Sequence, residues 1–154
     1  MGWCGFAGIE VDQRLAPLSG DALAKVESIY RRLGEGDSEA VSQALSTCRR
    51  LIEAVADAIY PARDGTVLVG GNELTVGPSN HKNRLNAHVN ERVTSSGRRE
   101  RLRHTLSDLF SRVSSGVHSE VDIGEARYLF LATDMYLGEV LTLSDSHDAE
   151  GTPD

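Results

Sequence analysis

Residues 38–60 carry the clearest helical pattern in the chain. Their apolar side chains recur every three or four positions and therefore fall on one face of an α-helix. The members of this apolar stripe are Val41, Ala44, Leu45, Cys48, Leu51, Ile52, Val55 and Ile59. Asp37 or Ser38 can cap the start of the helix, and Pro61 follows its end. Most of the stability of such a helix comes from packing its apolar face, so other elements must cover this stripe.

The rest of the sequence supplies elements that can do so. The same periodicity predicts four further helices, over residues 21–33, 79–94, 98–114 and 122–143. Two β-prone tetrads joined by Gly70-Gly71-Asn72 predict a short β-hairpin near residues 66–76. We therefore expect a mostly α fold, a bundle of about five helices with one short hairpin.

The length of 154 residues is that of one domain. We expect an N-terminal arm over residues 1–18, a helical domain over residues 19–143 and a disordered acidic tail over residues 144–154. The first residues lack the basic and long apolar regions of a signal peptide, and no apolar run is long enough to span a membrane. These features predict a cytoplasmic protein with no membrane partner.

The cysteines and histidines form no recognisable metal-binding pattern. Cys4 and Cys48 give neither a disulfide framework nor a zinc motif, and Cys48 on the apolar stripe is expected to be a buried thiol. The sequence also lacks a glycine-rich phosphate loop and a serine-nucleophile motif. We expect neither a metal nor a cofactor.

Arg112 and His118 flank a predicted break between the last two helices. Ser114, Ser115 and Gly116 between them favour a loop, which would hold the two side chains close together at a helix end. A guanidinium can hold phosphate oxygens and an imidazole can move a proton near pH 7, so the pair suits work on a phosphodiester. R-x5-H is a short pattern, however. The alternative interpretation is that the two side chains only cap helix ends or form salt bridges.

Positive charge is concentrated between His81 and His104. This sector holds seven cations against two carboxylates, whereas the whole chain has a net charge of −7. The cations are Lys82, Arg84, Arg92, Arg98, Arg99, Arg101 and Arg103. The sector can meet a phosphate backbone, with Arg98, Arg99, Arg101 and Arg103 on one exposed face as candidate RNA-binding residues. It can equally meet an acidic partner or form a solvated helix face.

Two segments resemble a known family. Cys48-Arg49-Arg50-Leu51-Ile52-Glu53 resembles the ARxxLE helix of HEPN-type domains from prokaryotic defence proteins. Arg112-Val-Ser-Ser-Gly-Val-His118, followed by a long apolar helix, resembles the HEPN signature R-x4-6-H that precedes the last helix. The resemblance covers residues 38–143 and is to helical domains of abortive-infection and toxin systems.

The resemblance implies a homodimer in which two R-x4-6-H motifs form one composite site of a metal-independent ribonuclease. In that site Arg112 would orient the scissile phosphate of RNA and His118 would act as general acid or base. Glu53 would orient Arg112 if their helices are neighbours. The resemblance also implies a protein partner, such as an antitoxin or another defence-system subunit.

One position departs from the family pattern. Active members usually carry a polar residue directly after the arginine, and here that residue is Val113. Many HEPN-type domains have lost catalysis and serve as dimerisation modules. The alternative function is therefore a non-catalytic interaction subunit of a phage-defence assembly, which uses the wide apolar face of the last helix.

Overall fold

The computed structural model describes residues 20–116 and 121–150, and it describes side chains for residues 27–115 and 121–143. The elements, in chain order, are α1 (Gly20–Glu35), α2 (Ser38–Ile59), β1 (Thr66–Val69), β2 (Asn72–Thr75), α3 (His81–Arg92), α4 (Ser96–Gly116) and α5 (Ile123–Glu150). This confirms the predicted mostly α bundle with one short hairpin. The predicted N-terminal arm lies outside the described residues.

Helix α2 is the centre of the bundle and packs against each of the other four helices. Asp37 caps its start, because Asp37 Oδ1 accepts a hydrogen bond of 2.7 Å from the backbone N–H of Ala40. The predicted apolar stripe is buried along its length, with only Ile59 partly exposed. The opposing surfaces of α4 and α5 complete the core through Leu102, Leu106, Leu109, Val113, Ala126, Leu129, Leu137 and Val140.

The hairpin pairs β1 with β2 in an antiparallel register, with Val67 opposite Leu74 and Val69 opposite Asn72. Its turn consists of Gly70 and Gly71, whose φ angles of 57° and 83° lie in the left-handed region that favours glycine. Val67 and Val69 pack onto a small buried cluster of Tyr60, Val76 and Ala87. The ribbon is therefore supported by α3 and the end of α2, as a two-stranded ribbon requires.

Arg84 is a fully buried cation at the junction of α2, α3 and the hairpin. Its Nη1 donates to the carbonyl of Tyr60 at 3.0 Å, and its Nη2 donates to Asp57 Oδ1 at 2.7 Å and to the carbonyl of Pro78 at 3.0 Å. These bonds join the end of α2 to the segment that follows β2. Arg84 therefore fixes where the hairpin and α3 lie relative to α2.

Two helix ends differ from the predicted ones. Helix α4 remains helical through Gly116, so Ser114 and Ser115 belong to its last turn and not to a loop. Helix α5 runs to Glu150, beyond the predicted end at residue 143, and therefore overlaps the first part of the predicted acidic tail over residues 144–154. The reason is that no glycine or proline interrupts the chain between residue 144 and Glu150, and the first such residue is Gly151. Residues 151–154 lie outside the described part of the chain.

We expect Arg84→Ala to lower the free energy of unfolding by about 3 kcal/mol, because it leaves the carbonyls of Tyr60 and Pro78 without a donor and a cavity in place of a fully buried side chain. Arg50→Ala, a change at an exposed arginine on α2, should alter that free energy by less than about 0.5 kcal/mol. Urea unfolding followed by circular dichroism measures both values. Equal effects of the two substitutions would contradict the role assigned to Arg84.

Candidate functional site

Arg112 lies in the last turns of α4, with its side chain 37% exposed. Its Nη2 donates to Glu125 Oε1 at 3.3 Å, and its Nη1 is 3.5 Å from Asp108 Oδ2. Its guanidinium carbon is 5.5 Å from the centre of the Tyr128 ring. The hydrogen bond to Glu125 and the charge of Asp108 raise the pKa of Arg112, so the guanidinium stays charged. Arg112 is thus a fixed, partly exposed cation between α4 and α5.

The start of α5 provides the carboxylate for this contact. Asp122 Oδ1 accepts a hydrogen bond of 2.9 Å from the backbone N–H of Glu125, which is one half of a capping box. The Glu125 side chain contacts Arg112. Glu125, at the third position of this capping box, therefore ties α4 and α5 together.

His118 lies in residues 117–120, which are outside the described residues. The prediction that its imidazole and the Arg112 guanidinium form one site therefore stays a prediction. The described backbone ends at Gly116 and resumes at Val121, so the chain between the two helices is short.

Glu53 does not contact Arg112 in the described structure. Its Oε1 accepts a hydrogen bond of 3.1 Å from Arg49 Nε, four residues earlier on α2. Arg112 has Glu125 and Asp108 as its carboxylate partners instead. The helices α2 and α4 do pack together, as the orienting role predicted for Glu53 requires. This role is nevertheless corrected, because the Glu53 carboxylate binds Arg49 and not Arg112.

The four candidate RNA-binding arginines divide between two flanks of α4. Arg98 and Arg101 both bind Glu139 Oε1 on α5, with Nη2–Oε1 distances of 3.1 and 2.9 Å. Arg99 and Arg103 line a cleft on the side of α4 that faces the hairpin. The expectation that the four share one face is wrong, because positions three or four apart on a helix lie together whereas neighbours diverge.

The cleft has a volume of about 710 Å³ and lies between the hairpin, α3 and α4. Asn83, Asn86 and Asn90 follow one face of α3 along it, and Lys82 lies at the same wall. These residues were not among the candidates predicted from the sequence, although the spacing of the three asparagines indicates that they share one face of a helix. The hairpin forms the opposite wall, and its position relative to α3 could not be predicted from the spacing of residues in the sequence.

An apolar seam runs along the outer side of α5. Its members follow each other at alternating intervals of four and three residues, as in the contact seam of paired helices. They are Gly124, Tyr128, Leu131, Met135, Gly138 and Thr142. Tyr128 and Met135 are each 58% exposed, and the Arg112 guanidinium lies over the Tyr128 ring. We call this surface the α5 seam.

An apolar groove of about 480 Å³ lies beside the seam, where α1 meets α5. Tyr30 and Phe130 form its aromatic part, with ring centres 4.8 Å apart in an edge-on arrangement. Tyr128 and Leu131 belong to both the seam and the groove. The exposed apolar surface is therefore continuous from α1 to the outer side of α5, which is typical of an interaction surface.

Other reactive groups in the described residues offer little for chemistry. Burial raises the pKa of the Cys48 thiol to about 12, with a further contribution from Asp134, so this cysteine stays protonated and is a poor nucleophile. No three His, Cys, Asp or Glu side chains come together as a metal site within residues 20–116 and 121–150. In the same part of the chain no helix is both long enough and apolar enough to cross a membrane.

Comparison of the chain with family models, with curated proteins and with solved structures finds no match. The functional assignment therefore depends on the residues and geometry described above.

We expect the Glu139 contacts to give stability that depends on pH. Partial burial alone would raise the pKa of this carboxyl, but the bonds and charges of Arg101 and Arg98 lower it below its usual 4.5. The stabilisation by the two arginine contacts is therefore present above pH 4.5. It is lost as the pH falls through the lower pKa that Glu139 has in the folded state. Glu139→Gln should lower the free energy of unfolding at pH 7 by at most about 1 kcal/mol, and by nothing below the folded-state pKa.

The matched control is Glu73→Gln, which removes the same charge from an exposed position on β2. Thermal unfolding between pH 3 and pH 7 distinguishes the two. A Glu139 variant whose stability follows that of the parent at every pH would show that the two arginine contacts contribute nothing.

Proposed function

We propose that this chain is a HEPN-like ribonuclease of a prokaryotic defence or toxin system that acts as a homodimer through Arg112 and His118. The observation that supports this most directly is the position of Arg112 at the edge of the α5 seam. The guanidinium is partly exposed and contacts Tyr128, which itself belongs to the seam. A second copy bound to this seam would bring the arginines of both copies to one interface.

The α5 seam has the properties of a self-association surface. Its central side chains, Tyr128, Leu131 and Met135, are apolar and recur with the spacing of a helix pair. The glycines near both ends, Gly124 and Gly138, let a partner helix approach closely. In a dimer with two-fold symmetry, both subunits contribute the same surface patch to the interface. Every side chain beside the seam, including Arg112, is therefore present at that interface in two copies.

In the proposed site the guanidinium of Arg112 holds the non-bridging oxygens of an RNA phosphate. The ribose 2′-oxygen attacks phosphorus while its proton moves to the neutral imidazole of His118. The bond from phosphorus to the 5′-oxygen breaks, and this oxygen takes a proton from the imidazolium of the second copy. The products are a 2′,3′-cyclic phosphate and a 5′-hydroxyl. RNA supplies the nucleophile, so DNA should resist.

A second candidate is the non-catalytic interaction subunit of a defence assembly. The observation that favours it is the environment of Val113, which is fully buried in the core between α4 and the helices around it. Position 113 therefore brings no polar group to the site of Arg112. The α5 seam would then contact another subunit, and Arg112 would serve only as a link to Glu125.

We expect induced expression of the parent to stop growth and fragment total RNA, and Arg112→Ala and His118→Ala to abolish both effects. The purified parent should cleave RNA in the presence of EDTA and leave the same sequence in DNA intact. Arg50→Ala, an exposed arginine outside the proposed site, should behave as the parent. An inert parent, in cells and with purified RNA, would favour the interaction subunit instead.

We expect the parent to be a dimer at micromolar concentration and Met135→Asp to be a monomer, because a carboxylate in the seam would be buried without a partner. The control is Leu68→Asp, since Leu68 on the hairpin is 67% exposed and distant from the seam in sequence. This variant should remain a dimer. Light scattering after size-exclusion chromatography measures the mass, and a monomeric parent at tens of micromolar would refute the composite site.

A further inference from the structure

The cleft between the hairpin, α3 and α4 has an apolar floor and polar walls. Val89 and Leu106, both buried, form the floor where the two helices meet, and Leu74 contributes from the hairpin. The volume of about 710 Å³ is within the range of small-molecule sites, roughly 300–1,000 Å³. The cleft is open to solvent, and its combination of apolar side chains at the base with polar groups at the edges suits a flat ring with polar edges.

One wall is a row of amides on α3. Asn83 donates from Nδ2 to the carbonyl of Thr75 at 2.9 Å, which fixes its side chain at the hairpin. Asn86 and Asn90 make no side-chain hydrogen bond to any described residue, although both are half-buried. A carboxamide presents a donor and an acceptor side by side, which matches the edge of a nucleobase such as adenine.

The other wall is cationic. Arg99 and Arg103 line the cleft from α4, and Lys82 adds a third cation from the end of the α3 wall. The single carboxylate among the lining residues is Glu100, whose Oε1 is 3.6 Å from Arg103 Nη2, so the cleft is net positive on a chain of net charge −7. Arg99 donates from Nε to the carbonyl of Val93, which holds the side chain in place and leaves its two Nη groups available. A guanidinium held in this way can bind a phosphate through paired hydrogen bonds.

We propose that this cleft binds a free mononucleotide, with the base over Val89 and Leu106 against the amides of α3, and the phosphate on Arg99 and Arg103. The size, the amide row and the local positive charge each match one part of such a ligand. A longer single strand is disfavoured, because no Phe, Tyr or Trp side chain lines the cleft among the described residues to stack successive bases.

The cleft is separate from the site proposed around Arg112. Arg103 and Arg112 are nine residues apart on α4, which is about two and a half helical turns, so they point to opposite flanks. Arg112 contacts α5 whereas Arg103 borders the cleft. Nucleotide binding therefore does not depend on whether the chain cleaves RNA, and the two proposals can fail independently.

Calorimetric titration of the full chain with AMP, GMP, CMP and UMP tests the proposal. At least one nucleotide should bind, and adenosine and inorganic phosphate should each bind it at least about tenfold more weakly, since each lacks half of the contacts. Arg103→Gln and Asn90→Ala should each weaken nucleotide binding by about tenfold or more. Arg101→Gln, which removes the same charge on the flank bound to Glu139, should leave it unchanged.

Thermal unfolding of each variant confirms that it is folded before its affinity is compared. The proposal is overturned if none of the four nucleotides binds at millimolar concentration, or if Arg103→Gln and Asn90→Ala bind as the parent does. It is also overturned if an eight-nucleotide RNA binds more than tenfold more tightly than every mononucleotide and loses this affinity in both variants. That result would assign the cleft to an RNA strand.

Discussion

The buried guanidinium of Arg84 determines how the non-helical part of the chain joins the bundle. Its side chain is fully buried, and its three hydrogen bonds go from the Nη groups to Asp57 and to the carbonyls of Tyr60 and Pro78. A buried cation must be satisfied by such partners, because its desolvation otherwise costs several kcal/mol. Since the partners lie at the end of α2 and just after β2, satisfying the cation also sets the hairpin against α3.

The position of the hairpin in turn creates the cleft. Asn83 binds the carbonyl of Thr75, and Val67 and Val69 pack over Ala87, so β1 and β2 stand beside the outer face of α3. Without that wall, α3 and α4 would present only an open surface.

Helix α4 separates two electrostatic environments. On one flank its arginines bind Glu139 and Glu125 on α5, and on the other they border the cleft with Glu100 as the only carboxylate among its lining residues.

The features that depend on neighbours in sequence could be predicted from the sequence. The apolar stripe of α2, its cap at Asp37 and the glycine turn of the hairpin are local, and the structure has all three. The partner of Arg112 could not be predicted, because Glu53 and Glu125 are both plausible until the packing of three helices is known. The helix α5 extends beyond its predicted end because polar composition alone does not end a helix, and the first helix-breaking residue after position 143 is Gly151.

Burial distinguishes two arginines that look alike in the sequence. Arg84 precedes His88 on α3 as Arg112 precedes His118, and both pairs unite a guanidinium with an imidazole within a few residues. Arg84 and His88 are both buried, and the bonds of Arg84 cannot be exchanged for a ligand without opening the fold. Arg112 is 37% exposed, and ion pairs of that exposure contribute only about 0–1 kcal/mol. A phosphate can therefore replace its carboxylate partners at little cost, so of these two arginines only Arg112 meets the requirement of the proposed ribonuclease site.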